Sequence, residues 1–396
     1  MRLTILTIIA LLSTCINAID YKGIIVDNLT KQPIAYSSIL ALESSLGTIT
    51  NEEGEFTMQS NSEQIRVICS SLGFVADTFE LNSASTYHHL SLKATTIDLN
   101  TVDITTETYP RSLILKAIEK IRHSDSTEVY CNAFYRQFSK NDTIPTEFRE
   151  IVFHTVSKRA FVQKVAIENG RYAMKEKGNL GFGNMFPFAN LHVWGSVLYD
   201  YKNILTHTDT LRYELLGSTN SNGRKIEIVK TSPRIPRSKK HNDSVTYYID
   251  AETFQIIECR NTSYPKNVIT TGNPIADAKN EKISYQIRYD YINDTIMHPS
   301  FLSIEIDYDV RIGLVYSKNN HITSKVLFSE PTLVKPNLEF TAVDVTAKDK
   351  AIIESVAYDK SYWEKNAAFQ ATKEEIALIN SFNESNSFTS ESPKKK

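Results

Sequence analysis

A strict alternation of apolar and polar residues runs through residues 283–291, which read ISYQIRYDY. The same alternation returns in residues 302–309, LSIEIDYD, after the turn-forming pair Asn293-Asp294. Because successive side chains of a strand point to opposite faces of a sheet, each segment has one apolar face and one polar face. The two segments are therefore predicted to form a long antiparallel hairpin that is buried on one face.

The chain before this hairpin predicts a second hairpin and one helix. Residues 247–250 and 254–258 are strand-like and flank a turn. Further upstream an amphipathic helix is indicated by apolar residues at helical spacing: Leu113, Ile114, Ala117, Ile118 and Ile121. Ser112 is the candidate cap of this helix. Residues 111–370 are therefore predicted to form an α+β domain with an extended antiparallel sheet.

In the N-terminal region, residues 19–94, short strand-like segments alternate with turn residues, a pattern that predicts a small antiparallel sandwich. Four of its segments carry a resemblance in their order: Gly23-x-x-x-Asp27, PIAYSSI at 33–39, GTITNEEGEF at 47–56 and SLGF at 71–74. Together they resemble the carboxypeptidase D regulatory-like domain of Gram-negative envelope proteins. That resemblance implies a transthyretin-like β-sandwich without a catalytic role of its own. The whole chain is accordingly expected to be mainly β.

Residues 1–18 are typical of a signal peptide, because Arg2 precedes a short apolar run. The run is shorter than the roughly 20 apolar residues that a membrane-spanning helix needs. Two outcomes are open. Cleavage after Ala18 would release a secreted chain, whereas Leu12–Cys15 resembles a lipobox, in which Cys15 would carry a lipid anchor. Both outcomes predict an exported protein, located in the periplasm or at the outer membrane.

Two polar segments are predicted to lie outside the folded domains. Residues 95–110 form a linker, and residues 381–396, rich in Ser, Asn and Glu and ending in three lysines, form a disordered tail. The 396 residues carry 44 Lys and Arg against 46 Asp and Glu, a net charge of −2. A balance this close to neutral argues against nucleic acid as a partner. After the first eighteen residues no stretch approaches the length of a membrane span.

The common catalytic motifs are missing from the sequence, including a zinc-binding His-Glu-x-x-His, a Gly-x-Ser-x-Gly elbow and phosphate-binding glycine loops. His88 and His89 are adjacent on a predicted strand and would point to opposite faces, so they cannot easily share a metal ion. Cys259 follows an apolar strand and is interpreted as a small buried residue. No catalytic residue, cofactor-binding residue or metal ligand is therefore assigned, and no cofactor is expected.

One aromatic segment is the candidate binding surface. Its large apolar residues stand in an irregular stretch, where they favour contact with a partner: Phe182, Phe186, Phe188 and Trp194. The leading hypothesis is a non-enzymatic, exported cell-envelope protein that binds an envelope protein or a hydrophobic ligand. One alternative is a periplasmic carrier or chaperone for lipid or lipoprotein, with the Tyr and Ile faces of the sheet lining a cavity instead of a core. The other is an enzyme whose site is assembled from scattered residues.

Overall fold

The computed structural model describes residues 19–44, 46–95, 107–175, 210–221, 223–234, 244–264, 276–312, 316–343, 358–365 and 369–388. Within these ranges the chain is mainly β, with one small N-terminal pair of sheets and one much larger sheet, which confirms the predicted fold class. The predicted signal peptide, including Cys15, and most of the predicted linker lie outside the described residues.

Seven strands make up the N-terminal region: β1 (Ile19–Asp27), β2 (Ser38–Ala41), β3 (Gly47–Ile49), β4 (Glu55–Ser60), β5 (Gln64–Ser70), β6 (Asp77–Asn82) and β7 (His88–Leu92). They form two sheets in the orders β4-β1-β7 and β3-β2-β5-β6. The core between the sheets is apolar and includes Tyr21, Ile39, Phe56, Val67 and Leu81. β1 and β7 run parallel, so the purely antiparallel arrangement expected for this sandwich is wrong for that pair.

The turn before β4 requires a glycine. Gly54 has a φ of +73°, and a Cβ atom built on it would lie 2.7 Å from the carbonyl oxygen of Ile25. Both the positive φ and the close approach of the backbone exclude ordinary side chains at this position.

In β7, His88 is buried and its neighbour His89 is exposed, as expected for adjacent residues on a strand.

Helix α1 (Thr108–His123) opens the second region. Its buried residues include Leu113, Ile114, Ala117, Ile118 and Ile121, as the apolar spacing predicts. The predicted Ser112 cap is wrong, because the helix begins at Thr108 and takes up the end of the predicted 95–110 linker. Pro110 lies in the first turn, where its missing N–H would have had no helical partner anyway.

Eleven antiparallel strands among the described residues form the large sheet: β8 (Val129–Asn141), β9 (Ile144–Lys158), β10 (Phe161–Met174), β11 (Leu211–Ser221), β12 (Arg224–Pro233), β13 (Ser244–Asp250), β14 (Ile256–Ser263), β15 (Ala276–Ile292), β16 (Ile296–Ile312), β17 (Tyr316–Thr332) and β18 (Thr341–Ala342). Their order is β11-β12-β13-β14-β15-β16-β17-β8-β9-β10-β18.

The predicted central hairpin is formed by β15 and β16. Asn293 and Asp294, at its tip, have φ values of 51° and 56°, as both central residues of a type I′ hairpin turn require. On the apolar face, Ile287 and Ile304 are 0% and 4% exposed and belong to one cluster with the buried residues of α1. Within the described residues these two side chains therefore belong to the packed core, and no open cavity lies at their positions.

The opposite face of the sheet is covered near β8 and β9 by two C-terminal helices, α2 (Lys360–Lys365) and α3 (Lys373–Glu384). Thr372 and Glu375 form a reciprocal capping box at the start of α3. The prediction of a disordered tail over residues 381–396 is wrong for its first residues. Ser381 lies inside α3, and Phe382 and Phe388 are buried against Phe138 and Phe148 of the sheet. Residues 389–396 lie outside the described residues.

Candidate ligand pocket

A cavity of about 440 Å³ lies at the C-terminal end of α1. Its apolar lining residues are Ile121, Phe254, Tyr291 and Met297, and its polar lining residues are Lys120, His123, Ser124, Asp125 and Thr295. The volume falls within the range of about 300–1,000 Å³ that is usual for small-molecule sites. The arrangement can hold a small apolar group and offer polar contacts beside it.

Two hairpin ends and the helix end meet at this pocket. Tyr291 and Met297 are cross-strand partners just before and after the tip of the β15–β16 hairpin. The Tyr291 hydroxyl donates a hydrogen bond of 3.0 Å to the carbonyl oxygen of Ile256. The Met297 carbonyl accepts one of 3.0 Å from the Ala160 N–H. Because one wall is hydrogen-bonded to β14 and the other to the turn between β9 and β10, the cavity is largely preformed.

Phe254 enters the pocket from the turn between β13 and β14. Its φ of 58° is unusual for a bulky side chain. The turn holds this conformation through hydrogen bonds: the Phe254 N–H donates to the Asp250 carbonyl over 2.9 Å, and the Asp250 carboxylate accepts from the N–H groups of Glu252 and Thr253. Such a conformation persists only where the surrounding structure holds it, and the hydrogen bonds of Asp250 do so here.

Cations stand on the α1 side of the pocket. The Lys116 ammonium lies 4.6 Å from the centre of the Phe254 ring, a cation–π contact, and Lys120 is part of the lining. Asp125 is the lining carboxylate. Hydrogen bonds from the Thr127 hydroxyl and N–H hold the pKa of Asp125 below its usual range, so that it is ionised at neutral pH.

A second group of residues has the connectivity of a catalytic triad. His321 Nδ1 lies 2.7 Å from Asp307 Oδ1, and His321 Nε2 lies 3.0 Å from Thr323 Oγ1. Thr323 stands inside β17, which pairs with β16 on one side and β8 on the other, so the surrounding backbone N–H groups belong to the sheet ladders. Within the described residues this geometry offers no oxyanion hole beside Thr323, and we interpret the group as a cross-strand hydrogen-bond network.

Cys259 is buried, as the sequence predicts, and burial raises the pKa of its thiol well above the usual value. A thiol in this state is a poor nucleophile. The aromatic residues singled out from the sequence, Phe182, Phe186, Phe188 and Trp194, lie outside the described residues, so their proposed role as a binding surface stays a prediction. The pocket residues were missed by sequence reasoning, because none of them forms a recognisable motif.

The comparison with protein families identifies the N-terminal region. Residues 21–104 match the model of the CarboxypepD_reg-like domain. These residues are a carboxypeptidase regulatory-like domain. The match confirms the resemblance noted in the sequence and applies to this region alone. No curated protein matches the chain.

Several solved structures are distantly similar. An outer membrane lipoprotein-sorting protein domain from Vibrio parahaemolyticus, itself described as putative, shares 7% identity at a TM-score of 0.30, covering 59% of this chain and 95% of that one. A DUF1329 family protein from Desulfovibrio piger shares 13% identity at a TM-score of 0.28, covering 58% and 95%. A LolA superfamily protein from Nitrosomonas europaea shares 11% identity at a TM-score of 0.21, covering 57% and 94%. Scores this low assign no function to the present chain.

None of the helices in the described ranges has the length and apolar character needed to cross a membrane.

A buried ionic cluster lies under α3, on the face of the large sheet opposite α1. Arg136 is bonded to the Glu150 carboxylate over 2.6 Å and to Glu375 of α3 over 3.3 Å, and it donates to the Phe369 carbonyl over 3.1 Å. Arg171 also contacts Glu150, and the side chains of all four charged residues are at most 8% exposed. The cluster therefore ties the C-terminal segment to β8, β9 and β10.

The regulatory-like domain joins the same cluster through Lys325 of β17, which contacts both Glu375, over 3.3 Å, and Glu52. Burial alone would raise the pKa of Glu375, but Arg136 and Lys325 outweigh burial, and the pKa of this carboxyl is lowered. Glu375 thus stabilises the folded protein above its unfolded pKa of about 4.3, and this stabilisation is lost as the pH falls through the lower folded-state value.

Direct contacts also connect the regulatory-like domain with the C-terminal segment and the sheet. The Asn51 side-chain amide donates to the Ala371 carbonyl over 3.2 Å, and the Lys373 ammonium lies 3.8 Å from the Glu55 carboxylate. Tyr36 and Ile49 pack with Phe301 of β16 in an apolar cluster that also includes Phe134, Leu327, Trp363 and Phe369. The acidic turn of the domain, 51–55, thus faces lysines of the second region.

Proposed function

We propose that this protein is a non-enzymatic, exported cell-envelope protein that binds a hydrophobic ligand in the pocket at the end of α1. The observation that carries the proposal is the preformed cavity itself. An apolar patch of Phe254, Tyr291 and Met297 lies beside a polar rim, which is the usual composition of a ligand site. The chemistry of a co-purified ligand distinguishes a carrier of lipid from a receptor for another apolar molecule.

Blocking the pocket tests the proposal. Thr295 is exposed and lines the cavity, so Thr295→Trp is expected to fill the mouth without disturbing the core. We expect the affinity for the neutral apolar dye Nile red to fall by about tenfold or more, a loss of about 1.4 kcal/mol or more of binding free energy. Fluorescence titration of the purified protein measures this. Thr295→Val, which keeps the side-chain size, is the matched control and should bind like the wild type.

An unchanged affinity of a folded Thr295→Trp variant would show that this cavity is not the binding site. Failure of the wild type to bind any apolar probe would contradict the proposed function as a whole.

Export is tested separately from binding. The apolar run in residues 1–18 predicts that the mature chain begins either at Ile19 after cleavage or at a lipidated Cys15. Mass spectrometry of the protein isolated from its native cells should therefore find a shortened chain, and a mass increase at Cys15 would identify the lipid anchor. A mature chain that still carries Met1 would contradict export by this route.

A further inference from the structure

Two lysines of α1 stand at the pocket without ionic partners. Lys116 and Lys120 are one helical turn apart and so lie on the same face of α1. Among the described residues neither has a carboxylate within ion-pair distance, whereas Arg122 of the same helix lies 3.3 Å from Glu119. The Lys116 ammonium lies over the ring of Phe254, which lines the pocket, and Lys120 is itself a lining residue.

Three carboxylates in or next to the lining have hydrogen-bond or ionic partners of their own. Glu119 lies 3.3 Å from Arg122 and 3.2 Å from the His123 ring. Asp125 accepts two hydrogen bonds from Thr127. Asp294, in the turn before Thr295, lies 3.3 Å from Arg224. Lys116 and Lys120 are therefore cations without an ionic partner among the described residues, whereas the hydrogen bonds from Thr127 leave Asp125 its negative charge.

We infer that the ligand of the pocket is an amphipathic anion, with an apolar tail against Phe254, Tyr291 and Met297 and an anionic head group at Lys116 and Lys120. This inference rests on the proposed function and adds the charge of the ligand to it. Lysine suits such a task, since its long apolar stem can cover the tail while the ammonium group stays at the polar rim. Its three N–H donors bind carboxylate and phosphate oxygens equally well, so both head groups share this chemistry.

The test compares ligands that share a tail and differ in their head group. Isothermal titration of the full chain with decanoate, decyl phosphate, decanol and decyltrimethylammonium gives the four affinities. We expect both anions to bind about tenfold more tightly than decanol, because each lysine adds one modest, solvent-screened charge contact, and the cation to bind most weakly. The preference should weaken with added salt. Decyl phosphate binding more tightly than decanoate would identify a phospholipid-like head group, and the reverse a fatty acid.

Variants assign the preference to the two lysines. Lys116→Gln/Lys120→Gln should remove the preference, so that this variant binds decanoate no more tightly than it binds decanol. Arg122→Gln removes one cation from the same helix outside the pocket and should change neither affinity. Equal binding of decanoate and decanol by the wild type would overturn the inference while leaving the proposed function in place. An anion preference that survives in the double variant would overturn the assignment to these lysines.

Discussion

A carboxylate placed at Ile304 is expected to unfold the protein. Ile304 is 4% exposed and lies in the middle of β16, in the cluster that packs under α1. An Asp there would be an unpaired charge surrounded by apolar side chains, and its desolvation cost exceeds what a marginally stable fold can absorb. We expect Ile304→Asp to lower the free energy of unfolding by more than about 4 kcal/mol, measured by urea denaturation with circular dichroism.

The matched control at the same site is Ile304→Val, which removes one methylene and should cost about 0.5–1.5 kcal/mol. A result against this prediction would be an Ile304→Asp variant that folds normally and has merely lost a co-purified lipid. Such a variant would show that the space under α1 opens as a lipid groove, which would favour the carrier over a receptor with a single end pocket.

Local patterns predicted the parts of the fold that depend on neighbouring residues. The alternation in residues 283–291 and 302–309, with Asn293-Asp294 between them, sets both the faces and the turn of the central hairpin, because a strand repeats every two residues. The apolar spacing of α1 likewise predicted its buried face. The start of the helix was misplaced because Ser112 resembles a cap, whereas in the structure it lies inside α1.

The candidate pocket could not be predicted in this way. Phe254, Met297 and Ile121 meet only because the sheet order brings the β13–β14 turn and the β15–β16 tip to the same end as the C-terminus of α1. No local pattern contains that information. A short helix through Ile376 and Ile379 was predicted, but the burial of the residues from Ser381 onward was missed for the same reason. Phe382 and Phe388 are isolated apolar residues in a polar stretch, and their partners on β8 and β9 are more than 200 residues away in sequence.

Removing Arg136 is expected to loosen the C-terminal segment from the sheet. Its guanidinium group is buried between Glu150 and Glu375, and breaking a buried ion pair from one side leaves uncompensated charge. Losses of this kind are about 3–5 kcal/mol. We expect Arg136→Met to lie at the lower end of that range, because Arg171 still contacts Glu150 and Lys325 still contacts Glu375.

Arg122→Met is the control, since it removes an arginine from a half-exposed ion pair with Glu119 and should cost less than about 1 kcal/mol. Hydrogen exchange locates the effect. In Arg136→Met the amides of α3 should exchange much faster. The exchange of the amides of β15, whose apolar face packs on α1, should rise only as far as global stability falls. Unchanged protection of α3 would show that the apolar contacts of Leu378 and Phe382 hold the helix without the ionic cluster. In that case the role of the buried charges would be to hold the regulatory-like domain against the sheet through Lys325 and Glu52. Lys325→Met, not Arg136→Met, would then be the variant that separates this domain from the sheet.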